Sequence, residues 1–282
     1  HADLTISRLG KDRYRVVTGG ADGNRDWVTL RNYRDDNGLN AEIKIRTHDI
    51  ATLGLWGPQA KNALGHFIDP NEISIENFPF AAAKNLTLNL AEGKKIDVWA
   101  SRISYVGESG WEIYLNNDSE EGLALYDALL EVGVVPVGIE TYANSRRLEK
   151  SFRLQGADLE TEYNACESAI ERRLVKEADF HGKAAHLAHR EEEPSAILCT
   201  MTIDDLNVSG SMRYPVGNSP IIDPVSGEVP IDSKGRRSYA TGMSYCPSIK
   251  KFVVMGYLPK NLAVPGKSLL LEYFNENGDG VY

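Results

Sequence analysis

Short stretches of alternating apolar residues, broken at close intervals by glycine and proline, constrain this chain more than any other feature. Such punctuation reads as short strands joined by turns, with few helices between them. Leu4 to Leu9 and Tyr14 to Thr18 are expected to pair across Gly10-Lys11-Asp12. Ala51 to Trp56 reads as a strand running into Gly57-Pro58 and a helix from Gln59 to Phe67, where Pro58 suits the first helical turn. Ile96 to Ser104 and Glu112 to Leu115 read as two arms of one antiparallel pair. Asp118 with Glu121 three residues on forms a helix start, and Leu123, Leu125, Leu129 and Leu130 supply its apolar face. A second helix is expected from about Thr141 to Phe152 and a short third after Gly182.

The 282 residues are too many for one typical core, so two or more packed modules are expected. The charged stretch His186 to Pro194 marks their boundary, giving a larger α+β module over 1–190 and a β module over 191–282. In the second, strands near Ala196 to Ile203, Ile221 to Ile222, Ser238 to Ser244, Val253 to Tyr257 and Ser268 to Phe274 suit a small antiparallel barrel. The chain opens almost within a strand. It closes at Val281-Tyr282, the start of a return strand after a turn over Asn275 to Gly280, so truncation at both ends is expected.

Composition excludes several functions. A formal net charge of -9 argues against a broad nucleic-acid footprint, which needs a basic face. Cys166, Cys199 and Cys246 are far apart and form no CxxC or Cys/His cluster, so neither a metal site nor a disulfide framework is supported. A reducing, cytoplasmic compartment follows. No apolar run approaches the ~20 residues of a membrane span, and no signal peptide is visible. A GxGxxG turn after a strand is absent, so no dinucleotide is held by that route.

Two segments carry candidate chemistry. In Ser104 to Glu112, Gly107 and Gly110 punctuate a turn, with Tyr105 before it and Glu112 after it. A pterin presents adjacent N–H donors along a guanidine-like edge, which a carboxylate accepts at two points while an aromatic ring stacks beside it. On residue chemistry alone, a hairpin with a surface glutamate is the simpler reading. In Ser145 to Arg153, followed by Gln155-Gly156-Ala157-Asp158, helical spacing brings Glu149 toward Arg153 and Arg147 toward Ser151. Alone, that is a salt-bridged helix.

The order of segments is more specific than any one of them. Asp3-Leu4-Thr5-Ile6 with Arg8-Leu9, Gly54-Leu55-Trp56-Gly57-Pro58-Gln59-Ala60, Tyr105 to Glu112, Arg147-Leu148-Glu149-Lys150, Phe180-x-Gly182-Lys183, and Tyr239-x-Thr241 through Gly256-Tyr257-Leu258-Pro259 occur in one sequence. Together they resemble the glycine cleavage T-protein (aminomethyltransferase) superfamily over essentially the whole chain. Within it the likeness is greatest to the folate domains at the C-terminal ends of dimethylglycine and sarcosine dehydrogenases and oxidases.

The resemblance implies an α+β fold in which tetrahydrofolate sits at the centre of a cloverleaf of antiparallel sheets and a C-terminal β-barrel module. It implies an enzyme that captures the one-carbon unit of an oxidised N-methyl amine as methylenetetrahydrofolate. FAD belongs on a separate flavin-dependent, amine-oxidising domain or subunit. By position in the matching motifs, Asp3 is the expected catalytic carboxylate, Glu112 the pterin-gripping glutamate, Tyr105 a ring lining that pocket, and Val17 a source of backbone groups toward the pterin. Tyr142-Ala143-Asn144 departs from the Ala-Arg-Asp of T-proteins proper, Arg146 stands where a leucine is usual, and Glu171-Arg172-Arg173 is more charged than the family segment. The resemblance also leaves a T-protein working with a lipoyl carrier, a folate-dependent O- or S-demethylase, and a non-catalytic folate-fold regulatory subunit as alternatives. Partners are then a small-molecule folate and the flavin-dependent domain, with no nucleic acid or membrane and with oligomers allowed. The mitochondrial matrix replaces the cytoplasm if the source is eukaryotic.

Overall fold

A computed structural model describes residues 2–117, 119–171, 174–204, 217–274 and 280–281. The chain packs as two compact units, His1–Val137 and Gly138–Tyr282.

Unit 1 begins with a hairpin of β1 (Leu4–Gly10) and β2 (Arg13–Thr18), in which Thr5 faces Val17 and Ser7 faces Arg15. Helix α1 (Gly23–Asp36) follows, then β3 (Ile50–Trp56), the short α2 (Ala60–Leu64), β4 (Ala83–Asn89), β5 (Lys95–Ser101), β6 (Gly110–Asn116) and α3 (Ser119–Glu131). The last four strands form one antiparallel sheet in the order β3-β6-β5-β4. Its two-residue alternation is strict. Leu55, Trp111, Ile113, Leu115, Val98, Ala100, Leu86 and Leu88 point to one face and pack with Leu64, Phe67, Leu125 and Leu129 from the helices and loops. Fully burying a side chain of that size stabilises by about 1.5–3 kcal/mol, so this face fixes the register.

The expected helix over 59–67 stops at Leu64, because Phe67 and Ile68 turn inward as part of the core. In α3 only Leu125 and Leu129 of the expected apolar face are buried, while Leu123 and Leu130 are exposed. The cap expected at Asp118 lies outside the described residues.

Unit 2 opens with a π-helix (Glu140–Arg146) that passes into α4 (Arg147–Glu149). Helix α5 (Lys183–Glu191) precedes the strands β7 (Ala196–Ile203), β8 (Ile221–Ile222), β9 (Ala240–Cys246), β10 (Lys251–Pro259), β11 (Leu270–Leu271), β12 (Tyr273–Phe274) and β13 (Gly280–Val281). The helix expected over 141–152 is thus shorter and wound differently. Part of the polar stretch His186 to Pro194, expected as a module boundary, lies within α5.

Strand β10 is central, between β7 and β9, and is buried on both faces. Val253, Met255 and Tyr257 pack with Leu148, Tyr163 and Leu198, and Val254 packs on the other side with Ala240 and Met243. Strands β8 and β11 pair separately, as do β12 and β13. Among the described residues these sheets stay open, so the antiparallel character expected of this region is present without a closed barrel. The strand expected over 268–274 is interrupted at Glu272, whose N–H donates to the Pro220 carbonyl. The turn expected over 275–280 and Glu171-Arg172-Arg173 extend beyond the described residues.

Candidate functional site

The face of the unit 1 sheet opposite the core is polar and aromatic. Alternation that sends Trp111, Ile113 and Leu115 inward sends Glu112 and Tyr114 outward. Register then sets their neighbours, since Glu112 faces Gly54 on β3 and Ser101 on β5, and Tyr114 faces Thr52 and Trp99. On the same face β4 carries Asn85 opposite Trp99 and Thr87 opposite Asp97.

Gly54 is required here. A Cβ on it would stand 2.1 Å from the Trp56 indole, so that ring lies across Gly54 beside Glu112. Gly110 is required for a second reason, because a Cβ there would stand 2.0 Å from the Leu55 carbonyl oxygen.

The loop between β5 and β6 holds Tyr105 and is tied down at several points. Trp56 Nε1 donates to the Ile103 carbonyl at 2.9 Å, and the Gly57 N–H donates to the Ser109 carbonyl at 2.9 Å. Arg102 anchors the loop's start from below. Its Nη1 donates to the carbonyls of Phe78 at 2.7 Å and Ser74 at 3.2 Å, and its guanidinium sits 5.2 Å from the Trp111 ring centroid. Gly107 takes φ 72, a left-handed conformation that suits glycine. Tyr105 is half-buried, and the neighbouring Ser104 Oγ is buried with no hydrogen-bond partner.

Glu112 is half-buried, and its Oε2 accepts a short hydrogen bond from the Tyr114 hydroxyl. Tyr114 packs against Trp99 with ring centroids 5.1 Å apart. The guanidinium of Arg15, from the hairpin, lies over both rings, 4.2 Å from the Trp99 centroid and 5.2 Å from that of Tyr114. Its Nη1 is buried without a hydrogen-bond partner. Burial lowers the Arg15 pKa from its ordinary value, with Tyr114 acting in the opposite sense; arginine stays cationic regardless. Beside Trp99 and Tyr114 opens a cleft of about 680 Å³ whose lining includes Arg15, Arg46, Asn116, Asp97 and Glu72.

Of the four residues expected from sequence, Tyr105 and Glu112 stand on the loop and strand of this sheet. Asp3 and Val17 belong to one end of the hairpin, with Asp3 exposed just before β1 and Val17 half-buried opposite Thr5. Arg15, Trp99 and Tyr114 were not foreseen. The alternation of β5, with Asp97, Trp99 and Ser101 at non-core positions, carried a signal for Trp99.

This arrangement fits a flat, hydrogen-bonding heterocycle such as a reduced pterin. Glu112 is an acceptor, the loop of Tyr105 lies beside it, and the Ser104 Oγ is a buried polar atom without a hydrogen-bond partner. Among the described residues, no group of three or more His, Cys, Asp or Glu side chains is placed to hold a metal ion. No helix among them is long and apolar enough to cross a membrane.

Comparison with known proteins supports the same direction. Residues 1–177 match the family model described as GCVT N-terminal domain. The chain is 31% identical to human mitochondrial dimethylglycine dehydrogenase, covering 98% of this chain and 30% of that protein. It is 30% identical to an aminomethyltransferase of Symbiobacterium thermophilum, covering 91% of this chain and 64% of that protein. Among solved structures, the glycine cleavage system aminomethyltransferase T of Bartonella henselae shares the fold with a TM-score of 0.68, at 23% identity over 99% of this chain and 69% of that one. The chain therefore spans less than a third of the dehydrogenase and under two thirds of the Symbiobacterium protein.

Proposed function

The chain belongs to the GCVT N-terminal domain family, and on that premise we propose that it is the tetrahydrofolate-dependent one-carbon-transfer part of an N-demethylating enzyme. The observation that carries the reading is the Glu112–Tyr114 pair on a face lined by Trp99, beside the loop of Tyr105. Likeness to dimethylglycine dehydrogenase over 98% of this chain supports the N-demethylation context. The 30% of that protein's length spanned here leaves room for a flavin-binding domain in it. We carry the module division at 1–190 and 191–282, a barrel-type second module and a cytoplasmic or mitochondrial setting as parts of the same proposal.

Tetrahydrofolate supplies the nucleophilic amines that take up the one-carbon unit. In the proposed site Glu112 accepts two N–H donors of the pterin edge, with Tyr114 holding one carboxylate oxygen in place. Tyr105 lines the ring, and Val17 offers backbone groups to it. Asp3 stabilises the cationic iminium electrostatically and accepts the proton released as the new C–N bond forms. FAD has no assigned place on this chain and is expected on the separate amine-oxidising domain.

Binding calorimetry with the full-length protein tests the reading. Glu112→Gln is expected to weaken tetrahydrofolate binding by about 1.5–3 kcal/mol, the worth of a charge-assisted hydrogen bond, while the thermal midpoint moves little. Unchanged affinity would sink the assignment. Asp3→Asn is expected to leave amine oxidation near normal while one-carbon capture falls roughly 10²–10³-fold, so that formaldehyde accumulates in place of methylenetetrahydrofolate. If folate conversion continues at the parental rate, Asp3 is a bystander.

The aminomethyltransferase relatives favour a second reading, transfer from a lipoyl-carried aminomethyl group. Ala143 stands where T-proteins carry arginine and counts against it. Turnover with an aminomethyl-lipoyl carrier and no flavoprotein would establish it.

A further inference from the structure

Helix α1 is attached to its unit through a carboxylate. Its only buried residue is Asp26, while Val28, Leu30 and Tyr33 are exposed, so no apolar stripe seats it. A carboxylate is seldom buried unless it is paired, and both oxygens of Asp26 are engaged. Oδ2 accepts a short hydrogen bond from the Thr18 hydroxyl at the end of β2, and Oδ1 accepts from Arg25 Nε and Nη2, each at 3.0 Å. Arg25 Nη1 also pairs with Asp22 Oδ1 at 3.0 Å. The bond from Thr18, with those from Arg25 after it, outweighs burial and holds the Asp26 carboxyl below its ordinary value. An ionised carboxylate only accepts hydrogen bonds, so the Thr18 hydroxyl is committed as the donor.

The chain between these two residues is loose by composition. It runs through Gly19, Gly20 and Gly23, which have wide backbone freedom, with a turn bond from the Asp22 N–H to the Gly19 carbonyl at 3.0 Å. The hairpin shows what the Thr18–Asp26 bond braces. Leu4 faces Thr18 and Thr5 faces Val17. Side chains alternate between the faces of a strand, so Leu4 and Thr18 share one face and Thr5 and Val17 the other. Asp3, one residue before Leu4, falls with Thr5 and Val17 by the same alternation. Helix α1 thus grips the hairpin from the face opposite Asp3. We propose that Asp26 is a positioning residue for one-carbon capture: through the Thr18 hydroxyl it fixes the end of the hairpin that presents Asp3. This rests on the catalytic reading of Asp3. A carboxylate stabilises a developing cation only from the right place, and a displacement of about 1 Å can lower a rate by up to ~10²-fold.

Three substitutions in the full-length protein test the role. Thr18→Val removes the hydroxyl with little change of shape, Asp26→Ala removes its acceptor, and Thr18→Ser keeps the bond. Methylenetetrahydrofolate formed and formaldehyde released are measured per amine oxidised at saturating tetrahydrofolate, with the folded fraction read by circular dichroism. Thr18→Val and Asp26→Ala are each expected to slow capture roughly tenfold or more, so that formaldehyde rises. The double variant should be no slower than the slower single one, and Thr18→Ser should restore most of the rate. Thr18→Val leaves the Arg25–Asp26 pair in place and carries the test if Asp26→Ala does not fold. The discriminating measurement is Thr18→Val in an Asp3→Asn background, where no further slowing is expected, because a misplaced group that is already disabled costs nothing more. The same fold-loss in that background overturns the proposal, since the bond would then serve the fold and not Asp3. Parental capture in Thr18→Val, or a loss matched by a fall in folded protein, overturns it too. If Asp3→Asn alone captures at the parental rate, or the parent forms no methylenetetrahydrofolate, the underlying reading fails and this role falls with it.

Discussion

At the scale of single residues, the chemistry is organised by hydrogen-bonded carboxylates. Tyr114 donates to Glu112 and so sets which way that carboxylate faces. Tyr114→Phe keeps the ring under Arg15 and removes only the hydroxyl. It is expected to weaken tetrahydrofolate binding by about 0.5–1.5 kcal/mol, the net worth of one hydrogen bond, which titration calorimetry resolves. In unit 2 a stricter arrangement surrounds Arg147, which is fully buried and paired with Asp158. Asp158 also accepts from the Thr241 hydroxyl and, at 2.8 Å, from the Leu154 N–H. Asp158→Asn leaves a buried guanidinium without its counter-charge, and a loss of about 3–5 kcal/mol in urea-unfolding free energy is expected. Sequence reading found Glu112 and Tyr105 because they flank one glycine-marked turn. It did not find Arg15, Trp99 and Tyr114 as a group because they come from three strands: register pairs Trp99 with Tyr114, and Arg15 reaches them from the separate β1–β2 hairpin. It also read Arg147 as a helix-face residue paired with its own helix, whereas its ion-pair partner Asp158 stands beyond that helix.

At the scale of elements, alternation was the legible signal and helical periodicity the weaker one. Strands β1, β2, β3, β6 and β7 follow the expected segments closely. Helix α1 was missed because only Asp26 of its residues is buried, while Val28, Leu30 and Tyr33 are exposed, so no apolar stripe announces it. Strand β4 was missed because Ala83–Asn89 is half polar, being the strand whose outer positions face the cleft. A backbone contact in the sheet that leaves no room for a side chain is at Gly110. A methyl group there meets the Leu55 carbonyl oxygen at 2.0 Å and Trp56 Cα at 2.7 Å, both of them backbone atoms. Gly110→Ala is expected to cost about 1–3 kcal/mol and to loosen the β3–β6 pairing, which amide hydrogen exchange at Leu55 and Trp56 reports. The same substitution at Gly122, where nothing lies within 4 Å, is the control and is expected to be neutral or stabilising.

At the scale of the molecule, acid stability is carried in part by Glu167. Burial alone would raise its pKa, but bonds from Arg236, the Asn164 N–H and Lys234 outweigh that and hold it at about 2, against an ordinary 4.5. The sign follows from the depressed folded value: this contribution is fully present above pH 4.5 and is lost as pH falls toward 2. Acid titration of the unfolding midpoint should therefore steepen in that window, and Glu167→Gln should flatten it while lowering stability at neutral pH. The overall class, α+β with antiparallel sheets, was readable from punctuation and segment order. The barrel expected of the C-terminal strands is not closed among the described residues, because pairing between separate short strands such as β8 and β11 is a long-range choice that local pattern does not encode. The setting of Arg147 has one more consequence. Its Nη1 reaches Met255 Sδ, 108 positions later in the chain, and Thr241, which holds Asp158, is nearly as far away. During synthesis on a ribosome the guanidinium emerges long before those neighbours, so the interior of unit 2 cannot be sealed until β10 has left the exit tunnel. Nascent chains stalled short of that strand should remain protease-sensitive throughout unit 2, and those stalled beyond it should become resistant in a single step.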